Sequence, residues 1–168
     1  MSSPSVVSSV DYAHDMPLAG HVRTRDAADG LQPGRDMGRT ILAVVAGILV
    51  AWLTMMLCQF GSAALHPPPP GLDLTSPADL TAFIEAAPPS AMALVVTGWA
   101  LGSLLGGWLA ARISRRHPRT AALLVGAVVL AGVIANAAMI PHPLWMTVLG
   151  VLLPLPAAWL GSVSRTTR

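Results

Sequence analysis

The chain has a single cysteine, no lysine, one tyrosine, and long stretches that hold no charge at all. The lone Cys58 excludes an internal disulfide and any CxxC redox or zinc motif. It falls inside an apolar run, where a buried, inert thiol is the expected state. All ten basic residues are arginine, which a GC-rich genome explains without any functional cause. A net charge of +2 is too small to mark a nucleic-acid binder, so no nucleic-acid partner is expected. HExxH, the P-loop, GxGxxG and a Ser/His/Asp arrangement are all missing. No catalytic residue, cofactor or metal site is therefore assigned, and an enzyme is not the expectation.

Charge is scarce as well: 11% of residues are Asp, Glu, Lys or Arg, against about a quarter in soluble domains. What is present instead is four runs of about 20 apolar residues, each long enough to cross a hydrocarbon core of about 30 Å. The composition demands a polytopic α-helical membrane protein. The reading is all-α: an integral membrane four-helix bundle with spans at 40–65, 91–113, 121–140 and 144–163.

Residues 1–38 are rich in Ser, Asp, Gly and Arg and show no apolar period, as a disordered cytoplasmic tail does. Met37 is an alternative start. The first apolar run begins too late and runs too long for a secretory signal. The membrane domain is 39–165. After its first span comes His66-Pro67-Pro68-Pro69-Pro70-Gly71, necessarily extended because proline removes donors and clashes with continued helix. Ser76-Pro77-Ala78-Asp79 then supplies an N-cap, a proline at the first helical position and an acid for the first turn. Leu80, Phe83, Ile84 and Ala87 follow at i, i+3, i+4 and i+7, predicting a short amphipathic surface helix in the first outer loop. In the last span Pro154 and Pro156 require a kink or widening. Trp145 and Trp159 mark its ends, as interfacial anchors do.

The arginines orient the chain. Arg23, Arg25, Arg35 and Arg39 precede the first span; Arg112, Arg115, Arg116 and Arg119 lie between the second and third; Arg165 and Arg168 follow the fourth. The other two loops have none. The positive-inside rule then gives N-in, C-in, with both termini cytoplasmic. A bacterial inner membrane is the expected location.

Small residues supply the candidate packing faces. Ala43, Gly47 and Ala51 recur every four residues in the first span, and Gly98, Gly102, Gly106 and Ala110 do so in the second. Such columns let backbones approach closely where lipid offers no hydrophobic gain. Two readings stand for the second column: packing inside the bundle, and contact with a second copy or a larger membrane complex. Trp52, Trp99 and Trp108 are open to a similar choice between lining a cavity and packing. Thr54, Gln59, Thr97 and Asn136 are the polar groups within the spans; a transporter would need them to converge. His66 and His142 share the outer side with Asp73, Asp79 and Glu85, and a metal enzyme would need both histidines beside one of those carboxylates. Leu101–Leu105 and Leu149–Leu153 share an LGxLL pattern, as two duplicated hairpins would.

The block Gly107–Arg116 resembles the loop after the second span of major facilitator transporters. The acid of that motif falls on Ala111 and its second glycine on Ser114, so the charge-relay element is missing. Small multidrug transporters also have four spans but rely on a glutamate in the first, and this first span has none. Over residues 39–165 the chain resembles uncharacterised four-span bacterial inner-membrane proteins. That likeness is carried by the prolines of His66–Asp73, by Gly98–Arg116 and by Pro141-His142-Pro143-Leu144-Trp145. It implies location and topology, and no activity. The function expected is that of a membrane protein acting through helix contacts, as a self-associating or accessory subunit. A small oligomeric transporter or channel for a neutral or hydrophobic solute is the alternative.

Overall fold

The computed structural model describes residues 32–73, 75–140 and 142–164, with side chains from Asp36 onward. The chain divides into two units, Met1–Arg35 and Asp36–Arg168. Of the first, only residues 32–35 are described, as helix. The second holds everything that follows.

Among the described residues the regular structure is entirely helical: α1 (Gln32–Leu65), α2 (Pro77–Glu85), α3 (Pro89–Ile113), α4 (Pro118–Met139), α5 (Leu144–Leu152) and α6 (Pro154–Val163). Four stretches are long and apolar enough to cross a membrane, the last made of α5 and α6 together. They contain 30, 25, 22 and 20 residues, and at about 1.5 Å per residue even the shortest reaches about 30 Å. In hydrocarbon a backbone must satisfy its own polar groups, which a helix does. The protein is a multi-pass membrane protein.

The helices start earlier than expected. α1 begins at Gln32 rather than Thr40, so residues 32–38 are helix and not tail; residues 1–31 lie outside the described residues. Arg39 Nε donates to the Ile113 carbonyl oxygen at 2.8 Å, and Arg116 pairs with Asp36 at 3.1 Å, holding the polar start of α1 against the end of α3. α3 and α4 open on Pro89 and Pro118, two residues or more ahead of the apolar runs. Proline tolerates the first turn because its missing N–H has no partner there anyway.

Glycine sets the crossings. A Cβ on Gly106 of α3 would lie 2.5 Å from the Gly47 carbonyl oxygen of α1, and one on Gly47 would lie 2.6 Å from that of Gly106. The two backbones touch there, with Val125 of α4 wedged beside both glycines. One turn away along α3 Gly102 backs onto the Ala51 carbonyl, and a further turn on Gly98 backs onto Cys58. On another face of α3, Gly107 lies against the Ala158 backbone of α6, and Gly126 of α4 approaches the Ala158 side chain. α3 is thus flanked by α1 on one glycine face and α6 on the other. Around these crossings lies a core of Val96, Trp99, Val125, Val129, Val133 and Met146.

The last span breaks at one residue. Leu153 keeps helical angles between α5 and α6, but Pro154 has no N–H to offer the carbonyl of Gly150. The bonds Leu153 N–Leu149 O (2.9 Å) and Ala157 N–Leu153 O (3.0 Å) carry the helix across the break. Next to it the Trp99 ring covers Gly150, where any Cβ would overlap the indole.

α2 starts as its sequence dictates. Ser76 is the N-cap, its hydroxyl accepting from the Asp79 amide at 3.4 Å, and Pro77 occupies the first turn. Ahead of it, Leu72 N donates to Pro69 O with Gly71 at φ +85, the positive angle that position i+2 of a type II turn requires. Ser76→Ala is expected to weaken α2 by about 0.5–1 kcal/mol. Faster amide exchange confined to residues 78–80, with α1 and α3 unchanged, would register it; unaltered exchange in α2 would count against the cap.

Candidate functional site

The end of the bundle where α1 meets its loop (the loop end) holds an open-sided cavity of about 340 Å³. The opposite end, where α3 gives way to α4, carries the arginines. Each wall of the cavity comes from a different element: Gln59, Ser62 and His66 from α1 and its end, Met92 and Val95 from α3, Asn136 from α4, and His142 with Met146 from the start of α5. α2 supplies the roof through Leu80, Phe83 and Ile84, joined by Ala87.

The short amphipathic helix is present where the sequence puts it, and its apolar residues line the cavity. The reason is local. His66 stacks on Phe83, ring centroids 4.5 Å apart at 18°, and its Nε2 donates to the Phe83 carbonyl oxygen at 3.1 Å. The prolines between them leave a short, stiff connection, so α2 folds back over the end of α1. Ser62 ties the other side, its hydroxyl donating to the Ala91 carbonyl at 3.0 Å. Outside the cavity, Asp73 accepts from the Thr75 hydroxyl (2.6 Å) and amide (2.9 Å). These bonds hold its carboxyl below the usual carboxylate range.

The polar pair on the far wall is His142 and Asn136. His142 Nδ1 lies 2.6 Å from the Ile140 carbonyl oxygen, which can only accept, so Nδ1 carries the proton. Nε2 is then an acceptor, and Asn136 Nδ2 donates to it at 3.5 Å. Trp99 meets the same imidazole edge-on at 6.5 Å.

The polar residues of the spans therefore separate. Gln59 and Asn136 reach the cavity. Thr54 and Thr97 do not; each bonds a carbonyl of its own helix, Val50 and Ala93, at 2.8 Å. Val96, Trp99, Val129 and Val133 belong to the apolar core, and Trp99 meets the His142 ring of the cavity wall. His66 and His142 line one cavity, but each is engaged with a backbone carbonyl, and no three His, Cys, Asp or Glu among the described residues are grouped to hold a metal ion.

Gly98, Gly102, Gly106 and Ala110 are buried, and what covers the three glycines is α1 of the same chain. Trp99 is buried in the bundle, whereas Trp52 is 55% exposed. At the arginine end Arg39, Arg115 and Arg119 are exposed, Arg116 pairs with Asp36, and the Arg112 guanidinium lies 4.3 Å from the centre of the Trp108 ring. Thr40 and the fully buried Ser114 approach hydroxyl to hydroxyl at 3.2 Å. Arg165 is outside the described residues.

No protein-family model matches the chain, and no match was found to a curated protein or a solved structure.

Proposed function

We propose that this multi-pass membrane protein acts by binding a neutral, largely apolar ligand in the loop-end cavity. The observation that carries the reading is the cavity itself. At 340 Å³ it is about twice the size of an engineered cavity that admits benzene, about 150 Å³. It also falls within the range of about 300–1,000 Å³ for small-molecule sites. Its walls are apolar with a few amides and imidazoles, and no carboxylate or arginine stands among the described residues that line it. A charged ligand would enter without a counter-charge, at a cost that a neutral one avoids.

The arginines support an N-in, C-in arrangement with the cavity on the side away from the cytoplasm. A bacterial inner membrane fits that arrangement. Self-association through Gly98, Gly102 and Gly106 has less support, because α1 already occupies that face. A channel or transporter needs polar groups to continue past the cavity, and Thr54 and Thr97 are turned to their own helices. The accessory role is thus recast: the chain would serve through what it binds.

The test uses the full chain in lipid nanodiscs with N-phenyl-1-naphthylamine, a neutral fluorophore that brightens in apolar surroundings. Saturable brightening above that of empty nanodiscs is expected. Ala63→Trp at the mouth and Val95→Trp in the wall should each weaken it about tenfold or more, as the indole takes the ligand's space. Binding no greater than lipid partitioning, or binding indifferent to both variants, would end the proposal.

A further inference from the structure

We infer that the cavity selects ligands carrying a hydroxyl group, an alcohol or phenol on an apolar body, and that Asn136 with His142 is the recognition element. The inference deepens the binding reading and rests on it.

Donors and acceptors on the far wall decide what it can hold. His142 is fixed as the Nδ1–H tautomer by Ile140, so Nε2 presents a lone pair to the cavity wall. Its contact with Asn136 Nδ2 is 3.5 Å, beyond the distances of about 2.7–3.2 Å at which N–H donors bond well. The pair is therefore loosely engaged. A third group that bonded both would replace a long contact with two short ones. That group must donate to Nε2 and accept from Nδ2, and a hydroxyl does both through one oxygen. A ketone or ether only accepts, leaving Nε2 unanswered; an ammonium only donates, and adds a charge that no lining carboxylate balances. Across the cavity the Gln59 side chain also lines the wall, so a second polar atom on the ligand has an amide to meet. Between these poles lie Met92, Val95, Ile84 and Met146, which suit a ring or short chain.

Paired probes isolate the hydroxyl. A diazirine-bearing alkylphenol is photolysed with the full chain in nanodiscs, and the label is mapped by mass spectrometry. Competition then compares 4-butylphenol with butylbenzene at matched concentrations in the membrane. Label on residues lining the cavity is expected, with the phenol competing about five- to tenfold better, the ratio that one added hydrogen bond gives. Asn136→Leu should reduce that ratio to near one. His142→Phe removes the acceptor from a different element, so the wall can be tested even where Asn136→Leu assembles poorly. Equal competition by both compounds in the unaltered protein would overturn hydroxyl selection while leaving the cavity a binding site. Label that neither compound displaces, or that lies outside the cavity, would overturn the binding reading and this inference with it. A preference that survives both variants would overturn the assignment to Asn136 and His142.

Discussion

Gly106→Leu is expected to prevent the bundle from assembling, while Gly132→Leu leaves it intact. Both replace a helical glycine in an apolar span, so intrinsic helix preference favours the two changes equally. Their surroundings differ completely. Nothing lies within 4 Å of a Cβ at Gly132, whereas one at Gly106 meets the Gly47 carbonyl oxygen at 2.5 Å, the Ala51 Cβ at 3.0 Å and Val125 Cγ1 at 3.1 Å. Overpacking costs about 1–3 kcal/mol when flexible side chains can yield. A carbonyl in the middle of a helix cannot, so α1 and α3 must separate along much of their contact. Val125, which is fully buried, would lose the pocket formed by Gly47, Gly106 and Ala110. Helicity should persist, since each span bonds its own backbone, and the loss should appear in tertiary structure. Resistance of the folded state to rising SDS in mixed micelles measures this. A Gly106→Leu protein as resistant as the unaltered one would show that α1 does not cross α3 at Gly47.

The difference between those two glycines marks what the sequence makes legible. Both lie in apolar runs, and the small columns identify faces that can approach closely. They do not say which column meets which. Ala43-Gly47-Ala51 and Gly98-Gly102-Gly106-Ala110 each read as a packing surface, and by spacing alone the latter suits a helix of another chain equally well. That α1 supplies its cover depends on how the loop of residues 66–88 brings α3 back beside α1, which no spacing within either helix records. The spans themselves are legible because a run of about 20 apolar residues suffices to define one.

The cavity is legible in the sequence only in fragments. The period of Leu80, Phe83, Ile84 and Ala87 establishes an apolar face, but the same pattern serves a lipid surface or the roof of a cavity. Phe83 is also the platform for His66, and a stacking contact across 17 residues leaves no local trace. The polar residues of the spans carry a clearer signal. A threonine in a membrane helix can satisfy its hydroxyl on the carbonyl four residues back, as Thr54, Thr97 and Thr40 all do. The amides of Gln59 and Asn136 carry donors and an acceptor that no single carbonyl of their own helix satisfies. Residue type alone therefore sets those two apart from the threonines, and they are the two that line the cavity.

Gly98→Cys is expected to form a disulfide with Cys58 inside one chain. The Cβ of the new residue would lie 2.8 Å from Cys58 Cβ and 3.4 Å from its Sγ. Disulfides hold their Cβ atoms about 3.5–4.5 Å apart, so the helices need to part by only about 1 Å. That adjustment is small because Gly98 meets chiefly the Cys58 side chain, one turn from the backbone contact of Gly102 with Ala51. Cys58 is the only cysteine of the natural sequence, so partner choice is unambiguous. The experiment separates the two uses of the glycine column. If α1 of the same chain covers it, oxidation in nanodiscs yields a monomer whose mass falls by that of two hydrogens, and peptides around Cys58 and position 98 remain linked after digestion. If the column faces a second copy, the same variant yields a covalent dimer on a non-reducing gel. Dilution discriminates further, since bond formation within a chain is independent of protein density in the bilayer, whereas dimer formation falls with it. A dimer as the main product would remove α1 from this face and restore self-association. A monomeric product requires α1 and α3 to be neighbours in one chain, the arrangement on which the cavity between their loop ends depends.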